Sequence, residues 1–232
     1  GGSTAVFSIV DGVLLKPLPV PDAASIVLMS NQYPNAGSAA TSTNSGVPDY
    51  YDRLRDMTVF EEQAMYAGRS FAIELDGSPQ LVRGMAATPS LFPLLGVRPI
   101  LGRVFNDEEG KPGAPGRVVV LSYALWQTRF GGDAGVIGRT LNLSGASYEV
   151  IGVLPQAFLF PGNPELWVPL APSSSAQRGD RRLGVIGRLA PDVTLPRALD
   201  EMRSVARELA RQYPETNGEW GANVASLEVA CA

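Results

Sequence analysis

The side chains that could support catalysis form only a few groups in this sequence, and the first group is acidic. Asp107, Glu108 and Glu109 are consecutive, and Asp133 follows in a glycine-rich stretch. Paired carboxylates can hydrolyse glycosides, and carboxylates can also bind calcium. The run lacks the alternating ligands and central glycine of an EF-hand loop. We expect a solvated turn, and keep an extracellular hydrolase that uses carboxylates alone as one alternative.

The sequence offers no other catalytic set. It contains no histidine, which excludes Ser-His-Asp and Cys-His catalysis and the histidine-containing zinc sites, and its one cysteine, Cys231, has no intrachain partner. The nearest match to a phosphate-binding loop has Pro112 after Gly110-Lys111, where serine or threonine is needed, and Phe105 at the first glycine position. No dinucleotide-binding GxGxxG pattern is present. We therefore predict no catalytic residue, no cofactor and no metal ligand, and expect a protein that is not an enzyme.

An arginine-rich loop is the second polar group. Arg178, Arg181 and Arg182 surround Asp180, shortly before a predicted strand. Guanidinium groups could bind an anion or a partner's carboxylate. Because arginine is mostly exposed in folded proteins, a solvated loop is the favoured interpretation.

Five aromatic residues could be taken for a stacking site. They are Trp126, Phe130, Phe158, Phe160 and Trp167. Trp126 and Phe130 have the i, i+4 spacing of a pair that faces a core from one helix. Large aromatics are most often there to supply buried area, so we expect core packing. A secreted or periplasmic module that binds a ligand on these rings is the other alternative.

Composition limits the class of protein. The 232 residues suit one large domain or two small ones, and 25 glycines and 19 prolines indicate many turns and short elements. With 19 basic and 23 acidic residues the formal charge is −4, so we expect no nucleic-acid partner.

The elements that would position these groups begin with a strand-helix-strand unit. Pro48 starts a helix in which Tyr50, Leu54 and Met57 share one face, with Asp49 in the first turn. We predict strands over residues 26–30 and 59–66 and a loop over residues 34–46.

A second unit of the same kind lies near the end of the chain. Thr194 is a suitable N-cap for a long helix that Pro214 ends. The predicted strands cover residues 183–189 and 223–229. The predicted apolar face consists of Leu195, Leu199, Met202, Ala206, Leu209 and Tyr213.

The sequence between these units is mainly β. Short helices begin at Thr88-Pro89 and after Ser122, and the second ends at the Gly131-Gly132 stop. The predicted strands are 71–75, 80–87, 118–122, 140–143 and 148–154. The whole pattern predicts an α+β fold in which two strand-helix-strand units flank an inserted, mainly β subdomain.

The apolar start of the chain, residues 5–15, ends at Lys16-Pro17. It is shorter than the roughly 18–20 residues of a full membrane helix and lacks the basic start and cleavage site of a signal peptide. A buried element and the end of a membrane span both remain open on the residues alone.

Residues 118–158 resemble the periplasmic core domain of MacB-like ABC transporter permeases. Members of that family are similar to VLSxxLWxxxFGGDxxxxGRxxxxxGxxYxVIGVxPxxF. The matching positions are Leu121, Ser122, Leu125, Trp126, Phe130 to Asp133, Gly138, Arg139, Gly145, Tyr148, Val150 to Val153, Pro155 and Phe158.

The resemblance continues on both sides of that segment. TPSLFPLLGVRPILGRVFNDEEG resembles the family's LGVRPxLGRxF segment, and GRLAPDVTLPRALDEM resembles its xRLxPGVTL segment, with Asp192 in place of the usual glycine. AVFSIVDGVLLKPLPVPD at residues 5–22 is similar to the family's exit from the first membrane helix.

The resemblance implies a non-catalytic part of a transporter. The implied fold is a porter-like layer of two β-α-β units with an inserted mainly β subdomain. Residues 1–20 would be the end of the first transmembrane helix and a linker, helical or poorly ordered in residues 5–15. Residues 21–70 and 181–232 would be the two halves of the porter-like subdomain, and 71–180 the insertion.

The implied setting is the inner membrane, with the domain facing the periplasm or the cell exterior. The implied partners are a cytoplasmic ABC ATPase, a second permease copy and an export adaptor or outer-membrane protein. The domain would couple cytoplasmic ATP hydrolysis to export or to other mechanical work outside the membrane.

Overall fold

The computed structural model describes residues 20–33, 40–42, 44–75, 77–114, 116–173, 176–178, 181–218 and 221–226. The segment 5–15, expected to be the end of a membrane helix, lies outside these residues. None of the helices in the described ranges is both long and apolar enough to cross a bilayer. The chain packs as two compact units: unit 1 takes the described residues of Asp22–Met65 and Ser174–Ala232, and unit 2 those of Leu18–Pro21 and Tyr66–Ser173.

Strands outnumber helices in the described ranges, and several strands follow one another with no helix between them. In the described ranges the strands are β1 (Ile26–Tyr33), β2 (Ala40–Ser42), β3 (Asn44–Gly46), β4 (Phe60–Leu75), β5 (Ser78–Ala87), β6 (Leu101–Gly102), β7 (Val118–Leu121), β8 (Thr140–Leu143), β9 (Ala146–Val153), β10 (Leu166–Pro169), β11 (Arg181–Leu189) and β12 (Gly221–Ser226). The α-helices are α1 (Val47–Asp56), α2 (Leu91–Leu94), α3 (Tyr123–Phe130), α4 (Leu195–Gln212) and α5 (Pro214–Asn217), and 3-10 helices cover Ala23–Ser25, Asp107–Gly110 and Ala134–Val136.

Unit 1 is an antiparallel sheet with two main helices. β1 lies between β12 and β11, paired Leu28 to Ala225 on one side and Leu28 to Ile186 on the other. α4 packs against β12, and α1 contacts α4 and β11. The order β1-α1-β4 and β11-α4-β12 gives two strand-helix-strand units, so the predicted α+β fold is confirmed.

The predicted loop over residues 34–46 is wrong in its second half. β2 pairs with β1 (Gln32 with Thr41), and β3 pairs with β11 (Gly184 with Asn44). These small, polar residues have little strand propensity of their own. Pairing depends on the neighbouring strand more than on propensity, so the sheet sets their conformation.

Unit 2 contains a mixed sheet. β5 pairs antiparallel with residues 66–75 of β4 and parallel with β10. β10 then pairs antiparallel with β7, β7 parallel with β9, and β9 antiparallel with β6 and β8.

One strand replaces two that were predicted. β4 runs unbroken through residues 67–70, which separate the expected strands 59–66 and 71–75. Gly68, Arg69 and Ser70 are exposed and look like a turn in the sequence. They remain extended because β5 pairs with β4 in unbroken register from Tyr66 to Leu75.

Local capping signals are accurate in both units. The Ser122 hydroxyl accepts from the Leu125 amide, and α3 ends at Gly131 with φ 61°. The Thr194 hydroxyl caps α4 by accepting from the Arg197 amide. Of the predicted apolar face of α4, Met202 and Leu209 are buried and the other four residues are half-buried. Ala198, which was not predicted on that face, is fully buried.

Candidate functional site

The first turns of α1 bury charge instead of an apolar face. Asp49, Asp52 and Arg53 are 2%, 8% and 6% exposed, and Tyr50 is buried beside them. Leu54, predicted on the buried face, is 44% exposed, so that part of the sequence prediction is wrong. Buried charges are tolerated only where they are paired. The partners of Asp49, Asp52 and Arg53 therefore explain why this helix buries charged side chains and exposes Leu54.

Arg178 supplies the main partner. Its Nη1 lies 2.7 Å from Asp49 Oδ1 and 2.7 Å from Asp52 Oδ2. Its Cζ lies 3.8 Å from the ring centroid of Tyr213, a cation–π arrangement. The Asn217 side-chain amide donates to Asp49 Oδ1 at 3.0 Å. We call these five residues the Arg178 cluster.

The electrostatics of the cluster favour the charged guanidinium. Burial alone would lower the pKa of Arg178, but the hydrogen bonds to Asp49 and Asp52 outweigh burial and raise the pKa. Arg178 therefore stays cationic, and its guanidinium is a permanent positive charge between Asp49 and Asp52.

A second polar layer supports α1. Arg53 donates to the Ser45 hydroxyl at 2.9 Å and to Asn31 Oδ1 at 3.3 Å, and the Tyr50 hydroxyl donates to the Gln63 carbonyl at 3.1 Å. These bonds tie α1 to strands β1, β3 and β4. Hydrogen-bonded side chains of this kind fix one register of the helix on the sheet.

The geometry of the cluster suits a structural role, in which segments of the chain are held together, and not catalysis. Two carboxylates share one guanidinium, and the neighbours are an amide and an aromatic ring. A nucleophile with an adjacent base and an oxyanion site, as covalent catalysis needs, does not occur in the cluster. Arg178 instead joins three parts of unit 1: α1, the segment before β11, and the α4–α5 turn.

The arginine loop thus differs from its favoured interpretation. Arg178 is not solvated, since its side chain is 14% exposed and binds carboxylates of the same chain. Arg182 is exposed, and Asp180 and the Arg181 side chain lie outside the described part of the molecule. The prediction missed Asp49, Asp52 and Asn217. The one available signal was the i, i+3, i+4 spacing of Asp49, Asp52 and Arg53 on a helix with apolar residues elsewhere.

The acidic run forms a 3-10 helix and is only partly solvated. Asp107 and Glu108 are exposed. The Glu109 carboxylate accepts hydrogen bonds from Arg103 Nη1 at 3.0 Å and from Arg103 Nη2 at 2.8 Å. Asn106 and Glu109 also form a capping box. Burial would raise the pKa of Glu109, but the hydrogen bonds from Arg103 and the Asn106 amide outweigh it and lower the pKa.

Asp133 has a local structural role. Its side chain accepts from the Gly135 amide at 2.9 Å and pairs with Arg139 at 2.6 Å. Within the described ranges, no three acidic or cysteine side chains come close enough together to hold a metal ion. Of the candidate carboxylates of a hydrolase, Glu109 and Asp133 are therefore each paired with an arginine of their own turn region.

The five aromatics divide into two sets. Phe158, Phe160 and Trp167 are core residues at 3%, 2% and 0% exposure, and the rings of Phe158 and Trp167 lie 5.5 Å apart. Trp126 and Phe130 are only half-buried. The Trp126 indole donates to the Asp133 carbonyl at 2.9 Å, so this ring fastens the turn after α3.

Unit 1 also contains a cavity of about 420 Å³ lined by Asp22, Glu61, Arg188 and Asp192 among others. Arg188 Nη1 donates to the Ser25 hydroxyl at 2.7 Å, and Ser25 donates to the Asp22 carbonyl at 2.8 Å. These groups close a turn at the entry to β1, and they do not pair a nucleophile with a base.

Solved structures share this fold. The periplasmic region of MacB from Actinobacillus actinomycetemcomitans is similar with a TM-score of 0.64 at 14% identity, covering 96% of this chain and 94% of that one. A domain of a putative permease from Porphyromonas gingivalis has a TM-score of 0.65 at 16% identity, covering 90% and 93%. The extracellular domain of the noncanonic ABC-type transporter YknZ from Gram-positive bacteria has a TM-score of 0.61 at 16% identity, covering 86% and 99%.

Sequence comparison identifies the family. No curated protein matches the chain. The profile of the MacB-like periplasmic core domain matches residues 1–205, most of the 232-residue chain. The chain therefore belongs to the MacB-like periplasmic core domain family and is the extracytoplasmic domain of a MacB-like ABC transporter permease.

Proposed function

We propose that this domain couples ATP hydrolysis in the cytoplasm to mechanical work outside the inner membrane, either export or force on another component. The observation that carries the proposal is the family match over residues 1–205. Coupling at a distance requires an element with two states that both sites bias.

The proposal includes a membrane anchor and partners. Residues 1–20 would be the end of the first transmembrane helix and its linker, since residues 5–15 are apolar apart from Ser8, Asp11 and Gly12 and are followed by Lys16-Pro17. A cytoplasmic ABC ATPase would supply the hydrolysis. The permease would act as a dimer, with an export adaptor or outer-membrane protein as a further partner.

The two alternative functions depend on side chains that are buried or paired in the described ranges. A binding module based on the aromatic rings would need Phe158, Phe160 and Trp167 at the surface, and all three are buried. A carboxylate hydrolase would need two free carboxylates across a cleft, whereas Glu109 is held by Arg103 and Asp133 by Arg139. The exposed Asp107 and Glu108 are neighbours on one short 3-10 helix. Neither alternative has an observation in its favour.

A spectroscopic distance measurement tests the coupling. We would reconstitute the full-length permease with its ATPase in lipid nanodiscs, replace Cys231 with serine, and place a spin label at Leu81, which is 77% exposed. We expect a label-to-label distance between two permease copies that changes when ATP is bound. An ATPase variant that cannot bind ATP is the control.

Two results would overturn the proposal. A full-length reading frame with no membrane span before or after this region would remove the anchor. A distance that is the same in the nucleotide-free and ATP-bound states would remove the coupling.

A further inference from the structure

Arg178 lies close to the point where the chain returns to unit 1. Ser173 is the last residue of unit 2, and Arg178 follows five residues later as part of unit 1. Its partner Asp49 is 129 residues away in sequence. One guanidinium therefore fixes the returning segment to α1 and, through Tyr213, to the end of α4.

The contacts around Arg178 differ in kind from those of the sheet. Around it lie carboxylates, an amide and one ring, and α1 buries the Tyr50 ring but exposes Tyr51 and Leu54. β1 and β11 bury Ile26, Val27, Val185 and Ile186 completely. A buried ion pair gives little net stability compared with apolar packing of the same volume, because both charges lose their hydration. Its better-attested use is to specify one arrangement over another.

We propose that the Arg178 cluster is a releasable latch inside unit 1. Closed, it holds α1, the segment 176–178 and the α4–α5 turn together. Open, these segments separate from one another while the β12-β1-β11 sheet stays folded. Local openings of this kind involve regions with few apolar contacts. The purpose of the latch rests on the proposed function, since ATP-driven coupling needs a two-state element.

Native-state hydrogen exchange on the 232-residue chain tests the latch. We would compare the unchanged chain, Arg178→Gln, and Arg207→Gln as the matched control, because Arg207 is an exposed arginine on α4. In Arg178→Gln we expect the amides of α1 and of Asn217 and Gly218 to exchange at least about 100-fold faster, as loss of one partner of a buried pair implies. The amides of β1, β11 and β12 should change by less than about threefold, and Arg207→Gln should change neither set.

The unchanged chain gives a second measurement that needs no variant. If Arg178→Gln does not fold, the latch still predicts that α1 and Asn217–Gly218 share one opening free energy, smaller than that of β1. Equal values for α1 and β1 would overturn the latch. So would faster exchange of the sheet in Arg178→Gln, or unchanged exchange of α1.

These outcomes are separate from those of the proposed function. Hydrogen exchange requires no ATPase and no membrane, so a failed latch leaves the coupling proposal intact. Conversely, a nucleotide-independent distance between permease copies would refute the coupling without changing the exchange result.

Discussion

Gly102 of β6 and Gly152 of β9 lie opposite each other in register. A Cβ on Gly102 would lie 2.0 Å from the Ile151 carbonyl oxygen, and a Cβ on Gly152 would lie 2.1 Å from the Arg103 carbonyl oxygen. The two backbones can therefore approach only because both residues lack a side chain. Both glycines fall in the segments that resemble the family, LGR and VIGV.

Gly152→Ala is expected to destabilise the chain by about 3 kcal/mol, because the obstacle is backbone that cannot rotate away. Urea unfolding measures the free energy directly. Gly68→Ala is the matched control, since a Cβ at Gly68 of β4 meets nothing within 4 Å. Equal effects of the two substitutions would contradict this account of the close approach.

Glu109→Gln is expected to lower stability by about 1 kcal/mol at pH 7, because a charge-assisted bond to Arg103 becomes a neutral one. The pKa of Glu109 is lowered by folding, so its contribution is complete above the unfolded-state pKa. The contribution is lost as the pH falls through the lower, folded-state pKa. The difference between wild type and variant should thus decrease below about pH 4.

Thermal or urea unfolding from pH 7 to pH 3 checks this, with Glu108→Gln as the control on the same 3-10 helix. Glu108 is exposed and pairs with Lys111, so its removal should have little effect at any pH. A Glu109→Gln deficit that grows on acidification would show that the sign of the pKa shift is wrong.

Asp192→Gly is expected to raise stability by about 0.5–1 kcal/mol. Asp192 has φ 64°, a left-handed conformation that costs a residue with a Cβ about 1–2 kcal/mol, part of which the greater freedom of unfolded glycine offsets. The resemblance to the xRLxPGVTL segment likewise leads us to expect glycine at this position. Asp192→Ala separates the effect of backbone conformation from the effect of the side-chain charge, because alanine removes the charge but keeps the Cβ. A gain in thermal stability for alanine as large as that for glycine would assign the effect to the charge.

Sequence alone predicted the elements whose signals are local. The caps at Ser122 and Thr194 and the stop at Gly131 each depend on residues within one turn, so no tertiary information is needed. The strand-helix-strand order and the burial of Trp167 follow from periodicity and side-chain size.

The polar face of α1 could not be predicted in that way. Asp49 and Asp52 are buried because Arg178 and Asn217 meet them, and those partners come more than a hundred residues later. Judged from the sequence of α1 alone, burying Leu54 is energetically more favourable than burying two carboxylates. The apolar pattern therefore predicted the wrong buried face. The strands β2 and β3 were missed for the same reason, because pairing with β1 and β11 gives these residues their extended conformation.

Exchanging the partners Asp49 and Asn217 tests whether their contact is specific. Asn217→Asp replaces the amide that donates to Asp49 Oδ1 at 3.0 Å with a second carboxylate, and should cost about 2–3 kcal/mol from lost donation and like-charge repulsion. Asp49→Asn alone should also destabilise, because Arg178 loses one of its two carboxylates. The double substitution restores one amide and one carboxylate, so its cost should be smaller than the sum of the two. A double-mutant cycle by urea unfolding gives the coupling, expected at about 1–3 kcal/mol. Strictly additive losses of unfolding free energy would mean that the Asp49–Asn217 contact contributes no coupling. In that case Arg178 alone would join the α4–α5 turn to α1.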